Sequence, residues 1–152
     1  MQGRGRILLV DDNPNDLELA LIAFEKAGRS PEVTVARSGQ EAMRLLGQVT
    51  SEQLPDVVLL DLNMPHMDGL AVLEAIREQP HLAGLPVVIL STSREERDIR
   101  ACYARGASAY VVKPVEFEQF LSTLSATSEF WTRLNEHPRR EGKRSIERSG
   151  GQ

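Results

Sequence analysis

The chain has 152 residues, 41% hydrophobic and 26% charged, with a net charge of −4. That suits one globular domain with a real core and excludes a disordered or fibrous chain. No apolar run approaches the ~20 residues of a membrane span, and the start, MQGRGRILLV, has no secretory pattern. A single cysteine, Cys102, closes no internal disulfide, so we expect a cytoplasmic protein with no membrane partner. Residues 136–152 hold five Lys/Arg and three Glu, which leaves 13 basic and 19 acidic residues in 1–135. An acidic body is a poor nucleic-acid binder, because phosphate contacts need a basic face. His66, His81, His137 and Cys102 show no metal-ligand spacing.

The first element is the apolar run RILLV (Arg6–Val10), followed by DDNPND. Pro14 suits a helix start with Asn13 as its cap. LELALIAFEKAG then predicts a helix closed by Gly28. EVTVA (Glu32–Ala36) alternates like a strand. Ser38 and Glu41 form the pattern of a capping box for a helix through Leu46, and a polar loop runs on to Pro55. DVVLLD, ending at Asp61, is a buried strand, and LAVLEAIREQ is a helix ended by Pro80. PVVIL (Pro86–Leu90) is the next strand. Ser93 and Glu96 make a second capping-box pattern, for a helix that stops at Gly106. AYVV (Ala109–Val112) is the last strand, and a long helix starts near Glu116.

Strand and helix thus alternate five times. All strands but the second are continuous apolar runs, the mark of a parallel sheet covered on both faces. The predicted fold is α/β: a doubly wound five-stranded parallel sheet with helices on both faces, in one domain over 1–135. Residues 136–152 are expected to be a flexible basic tail.

In such a sheet the ligand crevice lies at the carboxyl ends of the strands. The first strand delivers Asp11 and Asp12 there, the third Asp61, the fourth Ser91 and the fifth Lys113, followed by Pro114. Alone, each has a plain reading: helix-capping acids, a turn residue, a backbone-bonding hydroxyl, a solvated strand end. Together, three crowded carboxylates repel unless a cation neutralises them. Mg²⁺ prefers oxygen ligands, keeps some of its waters, and organises an incoming phosphoryl group. Lys113 adds a compact positive charge for phosphoryl oxygens and Ser91 a hydroxyl. Asp61 is the candidate nucleophile, since carboxylates form aspartyl phosphates.

Asp11-Asp12, Asp61, Ser91 and Lys113-Pro114 at these spacings resemble the receiver domain of two-component response regulators, with its flavodoxin-like (βα)5 fold, over about residues 6–134. The resemblance implies Asp61 as phosphoacceptor, fed by a sensor histidine kinase. It implies Asp12 as a direct Mg²⁺ ligand, Asp11 acting through water, and the backbone carbonyl of Asn63 completing the metal site. It further implies Ser91 and Lys113 on the phosphoryl group, Tyr110 as an aromatic switch following Ser91 inward, and a cis peptide before Pro114. Thr92 departs from the pattern, where a very small residue is usual. Such a protein is not an enzyme in the ordinary sense: it promotes only its own phosphorylation and dephosphorylation, and signals by protein binding or phosphorelay.

Two readings compete. A flavodoxin-like cofactor binder needs a phosphate-cradling loop after the first strand, where this chain has acidic DDNPND. An aspartyl phosphatase resembles a pattern with a second acid two residues after the nucleophile, where this chain has Asn63. DDNPND and the aromatic-rich SEFWTRL resemble the small response regulators that partner bacterial phytochromes; a chemotaxis-type receiver is the alternative. In the last helix, Phe120, Leu124, Thr127, Trp131 and Leu134 form one stripe at about 100° per residue. Phe117 and Leu121 widen it on one side and Phe130 on the other, which predicts a homodimer through this helix.

Overall fold

The computed structural model describes residues 5–26, 30–64 and 68–138. Its elements in chain order are β1 (Arg6–Val10), α1 (Pro14–Lys26), β2 (Glu32–Ala36), α2 (Gly39–Gln48), β3 (Val57–Asp61), α3 (Gly69–Glu78), β4 (Val87–Ser91), α4 (Glu96–Ala104), β5 (Ala109–Val112) and α5 (Phe117–Glu129). Short 3₁₀ turns occupy Ser51–Gln53 and Pro80–Leu82, and a π-helical turn, Phe130–Leu134, extends α5. The predicted cap at Gly28 lies outside the described residues, as does His66.

All strand pairs are parallel, in the order β2-β1-β3-β4-β5. The period-2 alternation of strand side chains divides the interior into two cores. Ile7, Leu9, Val57, Leu59, Val88 and Leu90 face α1 and α5. Leu8, Val10, Val58, Leu60, Val87 and Ile89 face α2, α3 and Cys102 of α4. β3 and β4 are buried along their whole length. The edge strands are not: β2 alternates and β5 is half-buried throughout, although AYVV reads as a buried run. Cys102 is fully buried, and burial raises its thiol pKa, as befits a small packing residue.

Helix starts follow local chemistry. The Asn13 side chain accepts the amides of Asn15 and Asp16 at 2.9 and 3.1 Å, the expected cap. Ser38 accepts the Glu41 amide at 3.1 Å, but the Glu41 carboxylate reaches past Ser38 to the Arg37 amide at 2.7 Å. The box expected at Ser93 does not form. Its amide already donates to the Ser91 hydroxyl at 3.1 Å, so α4 begins later, with Glu95 before its first turn.

The aromatic end of α5 also differs from expectation. Phe120, Leu121, Leu124 and Ser128 form its buried face. Leu121, expected at a dimer surface, instead packs in the α1–α5 core and is 7% exposed. Helix α5 is rolled toward α1, so the position that the stripe treats as its margin sits at its centre. Leu134 is exposed, because the π-helical turn takes more residues per turn and rotates it out of the 100° stripe. Phe117 and Phe130 are exposed, at 48% and 44%. His137, counted on the sequence with the tail, lies against the domain with Nε2 3.0 Å from the Trp131 carbonyl.

Candidate functional site

In the order β2-β1-β3 the chain reverses its winding direction between β1 and β3, and a crevice opens at the carboxyl ends of strands flanking such a switch point. Val10 pairs with Leu60, so Asp11 and Asp61 emerge on neighbouring strands at the same level. Asp61 pairs with Leu90, and Ser91 with Val112. The Lys113 amide donates to the Ser91 carbonyl at 2.7 Å, which sets β5's end beside β4's.

Alternation then sorts the side chains. Asp11, Asp61 and Lys113 share the parity of Leu9, Leu59 and Val111, on the side of α1 and α5. Ser91 and Tyr110 share the parity of Ile89, on the side of α3 and α4. The carboxylates and the ammonium thus meet on one face of the sheet edge, and the two expected switch residues lie on the other.

On the first face, carboxylate oxygens of Asp11, Asp12 and Asp61 lie within 4.8 Å of one another, Asp11 and Asp61 buried and Asp12 exposed. Lys113 Nζ stands 3.0 Å from Asp16, 3.4 Å from Asp61 and 3.6 Å from Asp11. Burial pushes the Asp11 carboxyl up to about 6, against a bond from the Asn13 amide and the pull of Lys113. Burial also raises Asp61, again with Lys113 opposing. For Lys113 burial alone would lower the pKa, but Asp11, Asp61 and Asp16 outweigh it, and it remains a firm cation. One ammonium does not neutralise these carboxylates. The donor set, all oxygen with one member open to solvent, fits a hard divalent cation. Asn63, expected to contribute its carbonyl, is exposed, and its amide lies 3.4 Å from Asp61 Oδ1. Gly69 abuts the end of β3: a Cβ there would sit 2.7 Å from the Asp61 carbonyl oxygen and the Leu62 Cα.

On the second face, Ser91 is fully buried. Its hydroxyl accepts the Ser93 amide at 3.1 Å, and Tyr110 donates its hydroxyl to the Ser93 carbonyl at 2.9 Å. The Ser93 hydroxyl donates to Asp98 of α4 at 2.5 Å and accepts the Glu95 amide at 3.1 Å. Ser93 thereby joins Ser91, Tyr110 and α4 through its amide, carbonyl and hydroxyl. Thr92 beside it is exposed rather than packed into the crevice. The described backbone contains no cis peptide, so the bond before Pro114 is trans.

Sequence reasoning missed one participant, Asp16, and one connection, the link that Ser93 makes between Ser91, Tyr110 and α4. Asp16 is the acid of α1's first turn, and its position three residues past the Asn13 cap, on the turn above β1, is the available signal. Ser93 was assigned to a cap. Its contacts come from two strands, a pairing no local pattern encodes.

Fold and crevice define a doubly wound α/β module with an acidic, lysine-bearing site at its strand ends. The family profile for the response regulator receiver domain matches residues 7–125, and the chain belongs to that family. Response regulator Rcp1 of Synechocystis is 33% identical over 128 residues, covering 82% of this chain and 87% of Rcp1. Among solved structures, the phosphorylated cyanobacterial phytochrome response regulator RcpA is 36% identical, with a TM-score of 0.82, covering 90% of this chain and 100% of its own. The bacteriophytochrome response regulator AtBRR is 47% identical, with a TM-score of 0.66, covering 88% of this chain and 99% of its own. Rcp1 itself has been solved in a Mn²⁺-bound form, 31% identical with a TM-score of 0.79, covering 89% of this chain and 99% of its own. Among the described residues no helix is long and apolar enough to cross a membrane.

Proposed function

We propose that this receiver domain accepts a phosphoryl group on Asp61 from a sensor histidine kinase. The observation that carries the reading is the placement of Asp61: buried, beside Lys113, with its carboxylate in the cluster formed with Asp11 and Asp12. An Asp61 oxygen attacks the phosphorus of a phosphohistidine. The new O–P bond forms as the P–N bond breaks, and the electron pair stays on the imidazole, which takes a proton from solvent. Lys113, held charged by its carboxylate neighbours, offsets negative charge on the transferred group. Asp11, Asp12, Asp61 and the Asn63 carbonyl are the residues that would hold Mg²⁺. When bound, it neutralises the carboxylates and the phosphoryl oxygens.

Ser91 supplies a hydroxyl to the phosphorylated site, and Ser93 and Tyr110 transmit its displacement to α4 and β5. The likeness to RcpA and AtBRR supports a phytochrome-type kinase as donor. The exposed Phe117 and Phe130 support a homodimer through α5, without Leu121. They lie 13 residues apart, about 20 Å along a helix at 1.5 Å per residue, so they act as two separate contacts rather than one stripe.

The test is labelling of wild type and Asp61→Asn by acetyl phosphate and by a panel of phosphorylated kinases. Wild type takes label only with Mg²⁺ and fastest from a phytochrome-type kinase, and Asp61→Asn takes none. Equal labelling of the variant sinks the site assignment, and faster transfer from a chemotaxis-type kinase sinks the partner. Light scattering on a column at micromolar protein tests the dimer, expected for wild type and lost in Phe117→Glu or Phe130→Glu. A single-chain mass for wild type at every concentration removes it.

A further inference from the structure

Lys113 makes its shortest contact not with the proposed phosphoacceptor but with Asp16, at 3.0 Å against 3.4 Å to Asp61 and 3.6 Å to Asp11. Asp16 comes from a different element, the first turn of α1, which the Asn13 cap fixes above the end of β1. Its backbone is thus held independently of the strand ends. The Lys113 side chain is only 10% exposed and that of Asp16 29%, so this pair is partly withdrawn from water. An acid in a first helical turn has a plain role with the helix dipole. That role does not require the carboxylate to lie at hydrogen-bonding distance from a buried ammonium 97 residues away in the chain.

Geometry makes Asp16 a counterweight. Lys113 is drawn by Asp61 and Asp11 on the sheet edge and by Asp16 on the helix. Without Asp16 the remaining pull is toward the two strand-end carboxylates alone. The ammonium would then settle on Asp61, where it occupies the oxygen that must attack and crowds the carboxylates that would hold a cation. With Asp16 the ammonium is shared: its bond to Asp61 Oδ1, at 3.4 Å, is the longer one, and the shorter, at 3.0 Å, goes to the helix.

We propose that Asp16 is a positioning residue: it draws the Lys113 ammonium toward the α1 side of the crevice, so that its bond to Asp61 stays the longer one, and so keeps the nucleophile available for phosphoryl transfer. This rests on the reading of Asp61 as phosphoacceptor.

The chain has three lysines, Lys26, Lys113 and Lys143, so ammonium signals of ¹⁵N-lysine-labelled, metal-free protein are few enough to assign. In wild type the Lys113 Nζ signal is expected to be slowed in exchange. Asp16→Asn shifts it and speeds its exchange, and Asp16→Glu restores it; a carboxylate acting only on the helix dipole would leave it in place. Phosphorylation by acetyl phosphate is then followed at saturating Mg²⁺. Asp16→Asn lowers the limiting rate roughly three- to tenfold with the half-saturating acetyl phosphate concentration unchanged, and Asp16→Glu recovers it. An unmoved Lys113 signal in Asp16→Asn, or a native limiting rate in that variant, overturns the proposal. Labelling of Asp61→Asn would instead overturn the site assignment beneath it, so the two failures are distinct.

Discussion

Tyr110 donates its hydroxyl to the carbonyl of Ser93, 2.9 Å away, and the amide of the same serine donates to Ser91. The two expected switch residues do not touch in this network. They meet through one residue of the β4–α4 loop, which also binds Asp98. Tyr110→Phe removes one bond of a half-buried hydroxyl and leaves the Ser93 carbonyl short of a donor. That should cost ~1 kcal/mol in urea unfolding. It should leave acetyl phosphate labelling intact, because Asp61 and Lys113 lie on the other face of the sheet edge. A variant that loses labelling with stability preserved would place Tyr110 in the transfer chemistry instead.

Gly69 is the point where helix α3 touches the site. Its amide donates to the Leu62 carbonyl at 2.8 Å, and a Cβ would press on the backbone of Asp61 and Leu62 at 2.7 Å. These are backbone atoms at the end of a fully buried strand, which do not move aside like a side-chain tip. Gly69→Ala should therefore cost ~1–3 kcal/mol by overpacking and shift Asp61 enough to slow labelling. An alanine variant with native stability and labelling would mean that the loop after β3 yields freely.

Asp11 carries a pH dependence whose sign is set by its burial. Its carboxyl stands at about 6 in the folded chain against 3.8 ordinarily, so between those values the folded state holds the extra proton. This contribution to stability is present below the ordinary value and is lost as pH rises through the folded one. Metal-free protein should accordingly lose stability between about pH 4 and pH 6 from this group. A divalent cation binds the deprotonated form and reverses the trend, so the rise in Tm on adding millimolar Mg²⁺ should be larger at pH 7.5 than at pH 5.5. Equal shifts at the two pH values would show that Asp11 does not take part in the cation site.

Much of this architecture is written in short patterns. β1 leads directly into Asp11, β3 and β4 end on Asp61 and Ser91, and a parallel sheet brings strand ends to one edge whatever the loops do. The period-2 alternation that buries Leu9 and Leu59 also orients the acids. What was not legible depends on packing between elements. Leu121 lies in the core because of how α5 rolls against α1, and Leu134 is exposed because a π-helical turn breaks the 100° count. Ser93 fails as a cap because Ser91 and Tyr110 claim its backbone from two strands. Asp16 is bound by a lysine 97 residues away, a distance at which charge pairing has no local signature.

Arg77 supplies the last prediction. Its guanidinium donates to the Gly106 carbonyl from Nε at 2.9 Å and Nη2 at 2.7 Å, and Nη1 donates to the Leu85 and Ala83 carbonyls at 2.7 and 3.0 Å. The turn between α4 and β5 is thereby tied to the segment entering β4. Gly106 has a φ of +102°, and a Cβ there would lie 2.9 Å from Arg77 Nε, so the glycine admits the arginine as well as the turn. A planar fork reaches both segments at once, which a lysine ammonium on its single stem does not. Arg77→Met should cost ~2–3 kcal/mol, within the range for hydrogen bonds to a charged group, and Arg77→Lys should recover little of it. Both are read as a lower urea midpoint at unchanged slope. Labelling at saturating Mg²⁺ should persist in both, because neither segment carries Asp11, Asp61 or Lys113. A lysine variant as stable as wild type would show that charge alone holds the turn.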